Sequence, residues 1–206
     1  LKGECSLEDI LIEVKPNLWL IPGESVDEIL KYNDKNIYER FLNQASVLDN
    51  LDFLIIDTGA GIGGNTAHFL EMADEIIIVT VPDPAAITDA YATIKMTSKS
   101  KENLLLLLNS VKNENEALKV FENLKKVADS NIKNPLNLEF LGFLSTSKDI
   151  STSIKKRTLF SDENSSASDE FKAVASKLLY RLEQRELDDM PSKSVVGFFK
   201  KVVERF

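Results

Sequence analysis

The sequence predicts an α/β protein whose mostly parallel sheet is covered by helices on both faces. Three features point to this fold. Short, continuous apolar runs at 53–57, 75–81 and 104–108 read as strands buried on both faces. Segments with helical periodicity lie between those runs, as strand–helix–strand crossovers require. The first of the three runs ends in Asp57 and passes directly into Thr58-Gly59-Ala60-Gly61-Ile62-Gly63-Gly64. An acid followed by a glycine turn at the carboxyl end of a strand occupies the place where open α/β sheets bind ligands.

Taken in order, residues 18–22 predict a short apolar strand, and 25–48 a helix broken near Asn33-Asp34. Strands follow at 53–57 and 75–81. A helix then spans 84–98, with Pro84 suited to its first turn and Asp83 as its N-cap. Five successive leucines at 104–108 are too short to cross a membrane and predict a fully buried strand. The next helix covers 113–131, with Ala117, Leu118, Val120, Phe121, Leu124 and Val127 on one broad apolar face. A strand at 138–144 and a long helix at 168–187 complete the domain. No internal repeat is apparent.

Composition narrows the classes. A chain of 206 residues with 43% apolar and 28% charged residues can bury a sizeable single core. Its net charge of −8 argues against a general nucleic-acid binder. Cys5 and His68 are the only cysteine and histidine, which excludes an internal disulfide and any multi-cysteine or multi-histidine metal site. His68 itself reads as a packed or surface residue of the 65–72 turn. No signal peptide and no apolar span of membrane length is present.

Asp57 is placed to hold Mg²⁺ through a water, as the Walker B acid of a nucleotide-hydrolysing enzyme does, with Gly59 and Gly61 on the cofactor side of the turn. Two other readings stay open. Gly59-x-Gly61-x-x-Gly64, with Asp83 at the end of the next strand, also satisfies the dinucleotide fingerprint. An acid before the first glycine, however, would repel a pyrophosphate unless a cation lay between them. The glycines could equally serve only the sterics of a strand-to-helix turn. Asn109 is a second candidate: it terminates the leucine run, and its amide can both donate to and accept from an adenine edge. A turn or cap asparagine would look the same.

The carboxyl-terminal end carries a different signal. Val195, Val196, Phe198, Phe199, Val202, Val203 and Phe206 fall on one face of a helix turning 100° per residue, with Lys200 and Lys201 on the other. Asp188-Asp189 and Pro191-Ser192 separate this segment from the domain, which places the boundary between 1–188 and 189–206. A basic amphipathic helix suits an anionic membrane surface; docking on its own domain is the alternative. One such tail binds weakly, so stable attachment needs a second.

The segments Leu54-Ile-Ile-Asp57-Thr-Gly-Ala-Gly-Ile62 and Ala73-Asp-Glu-Ile-Ile-Ile-Val-Thr-Val-Pro82-Asp-Pro-Ala-Ala-Ile-Thr-Asp-Ala-Tyr-Ala-Thr-Ile-Lys95 resemble the MinD/ParA family of P-loop ATPases. Asp57-Thr58-Gly59-Ala60-Gly61 resembles its flagellar-number branch, the FlhG-type proteins; MinD usually has Ser-Pro in place of Thr58-Gly59. The stretches 4–11 and 17–23 also match the family's middle region. The resemblance implies a P-loop NTPase fold and carries the nucleobase-contacting role to Asn109. It departs after Leu144, where relatives have Pro and an acid and this chain has Ser145-Thr146-Ser147-Lys148-Asp149. The family's phosphate loop G-x-x-x-x-G-K-[ST] does not occur in these residues, so the chain reads as a piece of a longer ATPase and is expected to be inactive alone.

Further implications concern the whole protein. ATP and Mg²⁺ as cofactors would order the segment around Gly61 and Ile62 and favour an ATP-dependent homodimer. That dimer would present paired tails to anionic lipids on the cytoplasmic face of the inner membrane, at a cell pole. Flagellar basal-body proteins and the GTPase FlhF are the partners the resemblance implies, with no sequence-specific nucleic acid. A MinD-like division-site regulator is the nearest alternative and a Rossmann-type oxidoreductase a more distant one.

Overall fold

The computed structural model describes residues 6–22, 44, 48, 51–58, 66, 69–71, 73–160 and 164–188. They fall into two compact units, one within Leu1–Met72 and the other within Ala73–Met190. The helix expected at 25–48 lies outside the described residues except for Gln44 and Leu48. His68 and the amphipathic segment from Val195 to Phe206 lie outside them as well.

The first unit opens with a single helical turn, α1 (Leu7–Ile10), made possible by a capping box. The Asp9 N–H donates to Ser6 Oγ at 3.2 Å, and the Ser6 N–H donates back to Asp9 Oδ2 at 2.7 Å. Leu7 is buried, and its N–H donates to Gln44 Oε1 at 3.0 Å. Then β1 (Ile12–Lys15) pairs antiparallel with β2 (Leu18–Leu20) across Pro16-Asn17. Asn17 takes a left-handed φ of 65°, a conformation asparagine tolerates in turns. The expected strand at 18–22 is thus β2, ended two residues early, while β1 was not legible because Ile-Glu-Val-Lys is too short to declare a period.

Residues 53–57 differ from expectation. The run is neither buried nor part of a ladder: Phe53 is 53% and Ile55 89% exposed, and residues 53–58 have no strand assignment. Exposure nevertheless alternates from Phe53 to Thr58, the period-two signature of strand-like sequence. The physical reason is pairing. A strand exists only through hydrogen bonds to a neighbour, and none of the strands among the described residues pairs with this run.

The second unit is a parallel sheet in the order β3 (Ile77–Thr80), β4 (Asn103–Val111), β5 (Asn137–Ser145). Crossovers are α2 (Pro84–Thr97) and α3 (Glu114–Asn131); α4 (Lys148–Lys156) and α5 (Ser166–Asp188) follow β5. The leucine run is the centre of the core: Leu104, Leu105, Leu106 and Leu108 are all buried, each worth about 1.5–3 kcal/mol of transfer free energy. Helices cover both faces. Phe140 of β5 meets Phe121 of α3 with ring centroids 5.2 Å apart, while the preceding residue, Glu139, meets Arg181 of α5. Successive residues of a strand point to opposite faces, so α3 and α5 lie on opposite sides.

The sequence reading holds for α2, where Asp83 Oδ1 accepts from the N–H groups of Ala85 and Ala86, and for α3, capped by Asn113. On α3 the buried stripe is Ala117, Leu124 and Ala128; Val127, expected inside, is exposed, because the face toward the sheet is narrower than the apolar arc. α4 was not anticipated, since nine residues with two isoleucines show no sustained apolar period.

Candidate functional site

The carboxyl ends of three parallel strands define the candidate site of the second unit. At β3, Thr80 is buried and its hydroxyl donates to the Ala86 carbonyl at 3.1 Å, which ties the strand end to the first turn of α2. Asp83 is committed to capping that helix. Its carboxylate serves two backbone N–H groups, which is a structural role.

Asn109 does not terminate its strand as expected. β4 continues to Val111 through a bulge: Leu108 pairs with Phe143 and Val111 with Ser145, so β4 carries one more residue than β5 over this interval. Ser110 takes up the irregularity with a left-handed φ of 56°. Asn109 Oδ1 accepts the Ser110 N–H at 2.8 Å. The amide is thereby oriented, with its oxygen turned to the backbone. Asn109 is half-buried. A bulge beside a ligand-binding strand end re-aims a side chain, and here that side chain is the one proposed to read a nucleobase.

The loop at 145–149 meets the same place. Thr146 N–H donates to the Val111 carbonyl at 3.0 Å, and Ser147 caps α4 by accepting from Asp149 N–H. Glu170, on α5, holds the loop's first residue: Ser145 N–H donates to its carboxylate at 2.6 Å and Ser145 Oγ at 2.7 Å. Sequence reasoning missed Glu170, which is remote from every strand end in the chain and carries no motif. The end of β4, two residues past Asn109, is joined to the 145–149 loop by the Thr146–Val111 bond, while Asp57 is in the other unit.

Asp57 is exposed at the end of the unladdered 53–58 segment. Gly59 and Gly61 lie outside the described residues. Among the described residues no cluster of three or more His, Cys, Asp or Glu could hold a metal ion. A Mg²⁺ ion needs few protein ligands, since it keeps several waters and takes the rest from phosphates. A single carboxylate such as Asp57 fits that donor set, and Asn109 fits a base. The grip on phosphates is not supplied by these residues, so no phosphoryl-transfer step can be built on them alone.

A three-stranded parallel sheet with crossover helices, an acid ahead of a glycine-rich segment and a polar strand end together make this an α/β protein of the P-loop NTPase type. The ParA family model, described as NUBPL iron-transfer P-loop NTPase, matches residues 32–179. The chain belongs to the ParA/MinD family of P-loop NTPases. It is similar to the flagellum site-determining protein YlxH of Helicobacter pylori, with 40% identity covering 99% of this chain and 70% of that protein. The antiactivator FleN of Pseudomonas aeruginosa is 28% identical over 86% of this chain and 65% of its own length. The septum site-determining protein MinD of Thermotoga maritima is 26% identical over 72% of this chain and 54% of its own. No helix among the described residues is long and apolar enough to cross a membrane.

Proposed function

We propose that the protein containing this chain is an ATP-dependent spatial regulator of flagellar number or placement, acting as a nucleotide-gated dimer on the membrane. The observation that carries the reading is its likeness to YlxH along nearly the whole chain. Asp57, just ahead of the glycine-rich segment, would hold Mg²⁺ through a water, and Asn109, in the bulge near the carboxyl end of β4, would orient the base. Bound metal and nucleotide would supply the charge, and the residues that would respond are Gly59 to Ile62, glycine permitting the backbone change. Closure would favour a face-to-face homodimer. The dimer then presents two amphipathic tails (Val195, Val196, Phe198, Phe199, Lys200, Lys201, Val202, Val203, Phe206) to anionic lipid, where one alone binds weakly. Hydrolysis would release both, leaving the protein in the cytoplasm. Basal-body proteins and the GTPase FlhF are the partners this reading calls for.

Two measurements test it. A strain with Asp57→Ala at the chromosomal locus is expected to assemble an altered number of flagella, counted by electron microscopy. The native protein is expected to sediment with phosphatidylglycerol vesicles only when ATP is present, and the variant not at all. Unchanged flagella together with ATP-independent sedimentation would overturn the reading. Similarity to MinD proteins favours one second reading, and misplaced septa with normal flagella in the same strain would select it.

A further inference from the structure

The carboxyl-terminal end of α4 is an exposed surface that the functional reading does not use. Residues 154–159, Ile-Lys-Lys-Arg-Thr-Leu, are all exposed, with Ile154 at 71% and Leu159 at 42%. Lys155 and Lys156 close the last turn, and Arg157 follows as the cap. None of the three cations forms an ion pair or hydrogen bond through its side chain among the described residues. Cations at a helix carboxyl end favour the helix dipole, which accounts for Lys155 and Lys156 without any partner.

Two facts are not accounted for that way. Arg157 adopts a left-handed conformation, φ 56° and ψ 40°, while its N–H donates to Ile154 O and the Thr158 N–H donates to Ser153 O. That position in a helix-ending motif is usually glycine, because a Cβ is strained there. An arginine occupies it against the backbone's preference. Ile154, one residue before the lysines, buries little of its side chain, although the same helix buries Ser153 against the domain. Three cations without a side-chain partner among the described residues, flanked by two exposed aliphatic side chains, form a mixed basic and apolar surface.

We propose that this end of α4 docks a short acidic segment of a partner protein, one with a large apolar residue among its carboxylates. Charge complementarity selects an anionic occupant, and the exposed Ile154 and Leu159 select one with an apolar side chain to bury. Length selects a peptide over a polymer or a bilayer. Apart from these three cations the chain is more acidic than its net charge of −8, so a long polyanion meets a net repulsive field that a short segment largely avoids. A segment of a few residues meets the cations and avoids that repulsion. The proposal stands independently of the flagellar reading.

The test is a selection from a displayed library of random twelve-residue peptides. The baits are the full chain and its Lys155→Glu/Lys156→Glu/Arg157→Glu variant. Native protein is expected to enrich peptides combining several Asp or Glu with Leu, Ile or Phe, and the variant to lose them. The affinity of a selected peptide should fall roughly tenfold or more on charge reversal. Arg157→Gly guards against misfolding: it should keep or raise Tm while weakening the same peptide, and Ile154→Ser should weaken it too. Enrichment without acidic bias, indifference to charge reversal, or an unchanged affinity in both Arg157→Gly and Ile154→Ser overturns the proposal. So does duplex DNA or phosphatidylglycerol vesicles binding through these cations while no peptide is selected.

Discussion

Glu170 receives both donors of Ser145, the backbone N–H at 2.6 Å and the hydroxyl at 2.7 Å, one on each carboxylate oxygen. This joins the first turns of α5 to the carboxyl end of β5 and fixes where the 145–149 loop begins. The loop in turn bonds to Val111, three residues from the start of the bulge that aims Asn109. The last helix of the domain therefore holds the candidate base-binding end of the sheet in place.

Glu170→Ala is expected to destabilise the chain by about 1–3 kcal/mol, because a partly buried N–H loses a charged acceptor. Glu170→Gln keeps one acceptor and should lose less. Urea unfolding midpoints at constant m-value check both, and equal midpoints for all three proteins would remove the clamp.

Gly142 gives a steric prediction. A Cβ built there would lie 2.8 Å from Val174 Cγ2 of α5. Gly142→Ala should cost about 1–3 kcal/mol, as overpacking of a close helix–sheet contact does. Val174→Ala in the same chain is expected to recover much of that loss, and a double-mutant cycle by thermal unfolding reads the coupling. Additive losses would mean that the contact is not the cause.

Arg181 ties the opposite end of the sheet. Its Nη1 donates to both carboxylate oxygens of Glu139 at 2.7 Å, and its Nε donates to Glu75 Oε1 at 3.2 Å. Burial opposes the guanidinium charge, but hydrogen bonding to Glu139 and the charges of Glu75 and Glu139 hold its pKa above the ordinary value. Arg181→Ala should destabilise by on the order of 2 kcal/mol: it strips a cation from the largely buried Glu75, and the loss is moderated by the exposure of Glu139. Arg181→Lys should restore only part of it, since an ammonium cannot span both carboxylates as a fork does. Chemical unfolding of the two variants separates these outcomes.

The capping box of α1 gives a pH prediction. Backbone and then hydroxyl hydrogen bonds from Ser6 lower the Asp9 pKa below its ordinary value. The folded pKa is the depressed one, so the cap's contribution is complete above the ordinary carboxylate range. It is lost as pH falls through the lowered value. An NMR titration of the Asp9 carboxylate should show a midpoint below that of a model peptide, and Ser6→Ala should move it back up. A midpoint that ignores Ser6→Ala would contradict the assignment.

Several of these features are legible in the amino-acid sequence alone. Asp83-Pro84 announces the start of α2 because a cap and a proline act within one turn of chain. The leucines at 104–108 announce a buried strand because a run this short, bounded by polar residues, suits a strand covered on both faces. Family membership is legible from Asp57 to Lys95 for the same local reason. By contrast, Ser145's partner could not be found, since Glu170 is a plain helical glutamate until the fold brings it to the strand end. Arg157 likewise looks like one basic residue among three until its left-handed φ is known.

Local pattern was therefore enough for the α/β class and for β3, α2, β4, α3, β5 and α5 of the second unit, though not for α4. These follow from periodicity and capping, which are properties of neighbouring residues. Three features came from tertiary contacts alone: β4 runs past Asn109 through a bulge, Phe53 to Asp57 has no ladder among the described residues, and Glu170 holds Ser145. Each depends on register or on a hydrogen-bond partner far along the chain. Registers and partners are set by which strands and helices meet, and no local pattern encodes that meeting.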